Sequence, residues 1–199
     1  MITFKTVRWK NFLSTGNAFT EVDLNVSPST LIVGSNGAGK STMLDAICFA
    51  LFNKPFRKIT KSQLVNSVNE KDAVVEVYFD IGSAEYKVVR GIKPNKFEIT
   101  KNGTVLNQDS AVKDQQVWLE QSVLKLNYKS FTQVVILGSS TFVPFMQLSA
   151  SARREVIEDL LDIKIFSTMN NLLKDRVRAI KDSLRDVEYN YELCKERVE

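Results

Sequence analysis

The chain has 199 residues, 44% of them hydrophobic, and a formal net charge of +4; that suffices for one buried core with an appendage, and the mild charge is compatible with nucleic acid without deciding for it. It contains no histidine, which excludes a histidine-based triad, a histidine-ligated metal and a histidine general base. No apolar run reaches a membrane span, and Met1-Ile2-Thr3-Phe4-Lys5 lacks the shape of a secretory signal.

In chain order, Thr20-Glu21-Val22-Asp23-Leu24-Asn25-Val26 alternates as a half-buried strand does. Leu31-Ile32-Val33 reads as a short buried strand. It leads into Gly34-Ser35-Asn36-Gly37-Ala38-Gly39-Lys40-Ser41-Thr42, which fits the phosphate-binding pattern G-x-x-x-x-G-K-[ST]. The following residues, Met43 to Phe52, are apolar nearly all round, as in a helix packed under a sheet. A glycine-rich turn before a helix would share the glycines, but not the Lys-Ser pair with both flanks in place.

The spacing has a physical reason. Gly34, Gly37 and Gly39 are expected to turn the backbone with positive φ and to admit phosphates where a Cβ would stand. The amides from Asn36 through Ala38 to Thr42 then form an anion nest at the positive end of the helix dipole. Lys40 is assigned to the β/γ oxygens, Ser41 to Mg²⁺ and Thr42 to the α-phosphate. The expected cofactors are ATP and Mg²⁺.

Downstream, Ala73 to Phe79 and Tyr86 to Arg90 read as strands across a Gly-Ser turn. Phe97-Glu98-Ile99-Thr100 and Thr104-Val105-Leu106 flank Asn102-Gly103, a strong hairpin signal. Such an antiparallel meander does not fit the strand–helix alternation of a plain nucleotide kinase. From Ser110 the chain turns helical. Leu173, Val177, Ile180, Leu184, Val187, Tyr191, Cys194 and Val198 recur at alternating spacings of four and three, an a/d seam set among charged residues. A lone amphipathic helix on the domain is the plainer reading. Because a 3.5-residue period drifts off a straight helix face, a coiled coil is expected instead. The seam still runs at Glu199 and is expected to continue in a longer chain. The two cysteines, Cys48 and Cys194, are expected to be reduced, buried thiols.

A phosphate loop in a lobe rich in antiparallel strands that runs into a coiled coil resembles the N-terminal half of the coiled-coil ABC-type ATPases, the SMC/SbcC group. The likeness is greatest to the ATPase subunits of DNA double-strand-break repair nucleases, including those of tailed phages. It rests on Val7-Arg8-Trp9-Lys10-Asn11-Phe12, the loop Gly34 to Thr42, and Lys54-Pro55-Phe56-Arg57. It also rests on Phe131 to Gly138, read as a strand, and on Ala152-Arg153-Arg154-Glu155 leading to Glu158-Asp159-Leu160-Leu161.

The resemblance implies an α/β fold: a P-loop NTPase, the N-terminal lobe of an ABC-type ATPase head over residues 1–165, with the start of an antiparallel coiled coil over 166–199. It implies four partners: the C-terminal half of the same ATPase, a second head in an ATP-sandwiched dimer, a metallo-nuclease subunit and double-stranded DNA. It implies no membrane and a cytoplasmic site. The family's Walker B carboxylates, signature motif and switch histidine belong to the C-terminal half. Asp80 is followed by Ile81 rather than Glu, Leu148-Ser149-Ala150-Ser151 lacks the signature glycines, and Asn53-Lys54-Pro55-Phe56 lacks the Asp of a guanine reader. This chain is therefore expected to bind ATP and to hydrolyse it poorly or not at all, with no catalytic residue of its own.

The resemblance also implies that Ser139 stands where the family's Q-loop glutamine ligates Mg²⁺, and that Leu13 replaces an arginine near the phosphates, leaving Ser14 as a donor. Residues 59–64 are implied beside ribose and base, with Ser62 as the polar contact. Lys54, Arg57, Lys58 and Lys61 form a basic cluster that reads either as a solvated face or as a phosphate-directed DNA contact. An SMC-type DNA-tethering ATPase and a stand-alone P-loop kinase or hydrolase are the alternative functions.

Overall fold

The strands are β1 (Ile2–Lys10), β2 (Thr20–Asp23), β3 (Ala73–Ile81), β4 (Ala84–Ile92), β5 (Lys96–Lys101) and β6 (Thr104–Val105). Apolar and polar residues alternate along β5 and much of β1, the central strands are more continuously buried, and together they form a six-stranded antiparallel sheet in the order β2-β1-β3-β4-β5-β6. The computed structural model describes residues 2–106, 112–136, 145–161 and 163–198. Along β3 the side chains of Val75, Val77 and Phe79 are buried, while Glu76, Tyr78 and Asp80 carry polar contacts on the other face. Val7 and Trp9 of β1 join the same core. At the turn between β5 and β6, Asn102 (φ 50°) and Gly103 (φ 79°) are both left-handed, the backbone a two-residue hairpin requires.

One helix covers the core face. In α1 (Lys40–Phe52), every residue from Asp45 to Phe52 is buried, and the helix packs against β1, β3 and β4. It ends at Asn53, left-handed at φ 57°, whose N–H returns to the Phe49 carbonyl. Phe49 stacks obliquely on Phe12, with ring centroids 5.7 Å apart. The end of α1 is tied to the sheet through Arg90 of β4, whose Nε donates to the Ala50 carbonyl at 2.9 Å and whose Nη2 donates to Gln116 Oε1 at 2.5 Å. Burial pushes this guanidinium down to about 9 against the pull of Glu120. At neutral pH it remains a cation at the negative end of α1.

Four expectations are corrected. Leu31-Ile32-Val33 is not a buried strand: Leu31 is 87% and Val33 81% exposed, and the segment joins no sheet. A strand exists only where a neighbour takes its backbone groups, and no described strand lies beside it. The Phe131–Gly138 stretch is not a strand where described. Its first residues lie in α3 (Tyr128–Val134), because Asn127 caps the helix at Ser130 N and Phe131 is held by Phe4 and Phe52, at 6.1 and 5.0 Å. Its last two residues, 137 and 138, lie outside the described residues. Of the two thiols, Cys48 is buried but Cys194 is exposed, since it lies on the open face of the last helix. Gly34 is not left-handed; a Cβ there would come within 3.2 Å of Ala38 Cβ, so close approach rather than φ is what it uses.

The helical part comprises α2 (Val112–Trp118), a π-helical turn (Leu119–Leu124), α3, α4 (Ala150–Leu160) and α5 (Lys164–Val198). The chain divides into two units, Met1–Val156 and Ile157–Glu199, whereas the expected boundary after residue 165 falls inside α5. In the second unit the seam residues Leu173, Val177, Ile180, Leu184, Val187 and Tyr191 are all exposed. Among the described residues no helix is long and apolar enough to cross a membrane.

Candidate functional site

A cleft of about 560 Å³ opens at the start of α1, a volume ordinary for a small-molecule site. Asn36, Gly37, Gly39, Lys40, Ser41 and Thr42 form one wall, and Leu13, Ser14, Arg57, Gln63, Val65 and Ser67 complete it. Gly37 (φ 87°) and Gly39 (φ 91°) are left-handed, so any side chain at either would be strained. Gly39 is the N-cap of α1 and no side chain caps that end, which leaves the helix's first donors to a ligand. The Lys40 ammonium is held over the loop by the carbonyls of Gly34 and Ser35, at 2.5 and 2.8 Å. Lys40 and Ser41 are exposed, whereas Thr42 is buried with its N–H on the Gly39 carbonyl at 2.9 Å. A cation, an uncapped helix start and glycines without side chains fit a polyphosphate.

The second wall is built by two ties that the sequence does not announce. Asp45, fully buried in α1, accepts from Arg57 N at 2.9 Å, Nε at 2.6 Å and Nη2 at 2.6 Å. This two-pronged pairing turns Arg57 back along α1 to the cleft. The other tie joins residues 11–17 to residues 63–70 through the Phe12–Val65 bridge. There Leu13 is left-handed at φ 53°, a state that costs an L residue roughly 1–2 kcal/mol. Asn66, itself buried, donates from Nδ2 to the carbonyls of Leu13 and Thr15.

Of the residues singled out from sequence, Ser14, Asn36, Gly37, Gly39, Lys40, Ser41 and Thr42 meet in the cleft, while Ala38 and Ser62 are not among its lining. The Ser62 hydroxyl pairs with that of Thr60 at 3.0 Å, where Thr60 and Gln63 cap the short 3-10 turn Lys61–Leu64. Ser139 lies outside the described residues. Gln63 belongs to the 59–64 loop expected beside ribose and base, whereas Val65, Ser67 and Arg57 line the cleft without a sequence assignment to it. The one signal for Arg57 was a lone aspartate within an apolar helix, which demands a partner. Nor do the four cations of the basic cluster act alike. Lys54 lies over the Tyr128 ring at 5.6 Å, Lys61 over Phe49 at 5.8 Å, and Arg57 is taken by Asp45. Burial, then Arg90, holds the Lys61 ammonium below its usual range.

Asp80 is held by Lys5 at 2.9 Å and is not among the residues lining the cleft. Among the described residues no group of three or more acidic or cysteine side chains could hold a metal. The Ser41 hydroxyl, in the cleft wall, is an oxygen donor of the kind Mg²⁺ takes together with phosphates and water.

A family model described as AAA domain matches residues 6–199. Exonuclease subunit 2 of Enterobacteria phage T4 is 46% identical over 168 residues, covering 84% of this chain and 30% of that protein. A DNA double-strand break repair Rad50 ATPase of Thermoplasma volcanium is 25% identical over 189 residues, covering 92% of this chain and 20% of that protein. The chain thus spans 30% or less of the length of these curated relatives. Among solved structures, the Smc head domain with an extended coiled coil bound to the C-terminal domain of ScpA, from Pyrococcus furiosus, matches with a TM-score of 0.64 at 25% identity, over 94% of this chain and 49% of that one. The chain belongs to the AAA domain family, whose model spans its residues 6–199, and it is similar to exonuclease subunit 2 of phage T4 and to the Smc head domain.

Proposed function

We propose that this chain is the ATP-binding half of an ABC-type ATPase that, with a nuclease partner, processes DNA ends in recombination and double-strand-break repair. The observation that carries the reading is the cleft in which Lys40, Ser41 and Thr42 meet two left-handed glycines and a preorganised second wall. Lys40 neutralises the β/γ oxygens, the loop amides hold the phosphates, and Thr42 takes the α-phosphate. Ser41 holds Mg²⁺, which when bound offsets the charge of the β and γ oxygens. Ser14 lies on the far wall as a donor, whereas Ser62 is engaged with Thr60 and Ser139 remains a proposed Mg²⁺ ligand only.

Among the described residues no carboxylate lines the cleft, and turnover is assigned, with the family likeness, to the complementary C-terminal half and a second head. The exposed Leu31-Ile32-Val33 strip beside the phosphate loop supports this, since its open backbone and apolar side chains suit an added strand. Head closure on ATP would then gate a metallo-nuclease bound near the coiled coil, on double-stranded DNA in the cytoplasm.

The test is Mg²⁺-dependent ATP affinity. Lys40→Ala is expected to weaken it by roughly tenfold to a hundredfold, the loss of a charge-assisted contact. Unchanged affinity in that variant overturns the assignment. A second reading, an SMC-type tethering ATPase, draws on the likeness to Smc heads; co-purification with a metallo-nuclease subunit separates the two.

A further inference from the structure

We propose that Asn66 is a positioning residue that holds the wall of the cleft at Leu13 and Ser14, and so governs the grip on the nucleoside rather than on the phosphates. The proposal rests on the reading of the cleft as a nucleotide site. Its starting point is Leu13, a branched residue held at φ 53°, where few side chains other than Asn and Asp settle unaided. Both its backbone groups are tied. Its N–H donates to the Leu64 carbonyl at 2.7 Å, and its carbonyl accepts from Asn66 Nδ2 at 3.1 Å.

Asn66 spends its whole amide on this junction. Nδ2 makes a second bond, to the Thr15 carbonyl at 3.0 Å, while Oδ1 accepts from Val68 N and Asn69 N at 2.9 and 3.0 Å. Two carbonyls on one side and two N–H groups on the other fix which end of the amide is which. Its own N–H donates to the Asn11 carbonyl at 2.9 Å. A second stitch runs alongside: Asn69 Nδ2 donates to Asn11 Oδ1 at 2.7 Å, and Asn11 Nδ2 donates to Asn17 Oδ1 at 3.1 Å. The loop bearing Leu13 and Ser14 is thereby locked to the loop bearing Gln63, Val65 and Ser67, and all five line the cleft. The phosphate loop makes none of these bonds. The resemblance sets an arginine near the phosphates at position 13, but Leu13 has no charge to offer them, so with the phosphates at Lys40 this locked wall is left to the other end of the ligand.

The residue types separate the roles. Asn66→Asp keeps the size and the acceptor for residues 68 and 69 but loses both donors to Leu13 and Thr15. Leu13→Gly reaches the left-handed state without strain. In the full chain, binding of MgATP and of Mg-tripolyphosphate, which has no nucleoside, is measured for four proteins: the parent, each single variant and the pair. Asn66→Asp is expected to weaken ATP about tenfold, as for one or two lost hydrogen bonds, and to leave tripolyphosphate within about twofold. With Leu13→Gly already present, the same Asn66→Asp step is expected to cost ATP less than about threefold, because the conformation no longer needs holding. Parallel loss of both ligands, or an equal cost in both Leu13 backgrounds, overturns the role of Asn66. A parent chain that binds neither ligand overturns the nucleotide reading and this role with it. Should Asn66→Asp fail to fold, Asn66→Ser, whose hydroxyl still serves the turn at 68 and 69, enters the same cycle with the same outcomes.

Discussion

Helices α1 and α5 both carry long apolar series, yet every residue of α1 from Asp45 to Phe52 is buried while the seam of α5 from Leu173 to Cys194 is exposed. The difference lies in the pattern. The α1 sequence is apolar around its circumference and is covered by β1, β3 and β4. In α5 the apolar residues form one stripe with a 3.5-residue repeat among Lys, Arg, Asp and Glu. Such a stripe is too narrow for a core and right for a second helix wound around it. Burial of α1 is thus a property of the fold itself, and burial of α5 is a property of an assembly, the proposed coiled coil.

The largest effect that can break this contrast comes from matched truncations. Phe49→Ala removes a fully buried ring stacked on Phe12 and is expected to cost about 3–5 kcal/mol in urea or thermal unfolding. Leu184→Ala removes a side chain already 54% exposed and is expected to change stability by less than about 0.5 kcal/mol. Its effect should appear only when a complementary helix is supplied, as weaker association. A Leu184→Ala chain that unfolds as readily as Phe49→Ala would show that the seam is already covered within the chain.

The sheet that covers α1 sharpens the comparison on its other face. There Glu76, almost buried, accepts from Arg8 Nε at 2.7 Å and Tyr78 Oη at 2.8 Å, with Lys87 Nζ 3.1 Å away. Burial alone would raise the carboxyl, but these three donors outweigh it and hold Glu76 below its ordinary 4.5. A depressed carboxylate stabilises the fold above its unfolded value, and the gain is lost as pH falls through the folded one. Glu76→Gln is expected to cost about 2 kcal/mol near pH 7, a typical loss for charge-assisted bonds. The gap to the parent should shrink as pH falls below about 4.5, followed by melting temperature across that range. A gap independent of pH would remove the ionic account of this face.

How much of this was legible in the sequence varies with how local the cause is. The Asn102-Gly103 hairpin and the opening of α1 were readable because positive φ and an uncapped glycine start are properties of a few adjacent residues. Residues 131–134 were not, because the β-branched run suggests a strand while the Asn127 cap and the Phe4 and Phe52 rings impose a helix. Leu31-Ile32-Val33 reads as a strand by composition, but strandedness belongs to a pair of segments. The phosphate half of the cleft was readable from Gly37, Gly39 and Lys40. In the other half, Ser14 and the 59–64 loop were placed only through the resemblance, and what holds that wall was not readable, since Arg57 arrives through Asp45 and Leu13 is held by Asn66, ties between residues 12 and 53 positions apart.

The smallest effect changes no stability at all and tests the contrast directly, because each helix holds one cysteine. Cys48 is buried in α1, and that burial, aided by the nearby Asp45 carboxylate, pushes its thiol up to about 12. At pH 8 almost none is thiolate, and the reacting species is the thiolate. Cys194 is exposed at a seam position of α5. An aromatic disulfide reagent is therefore expected to titrate one thiol in the folded chain and the second only after denaturation. Adding the complementary helix should slow the Cys194 reaction, because a d-type position becomes a knob in a hole. Two fast thiols would mean that α1 opens to solvent. A Cys194 rate indifferent to the added helix would place the coiled-coil contact on another face of α5.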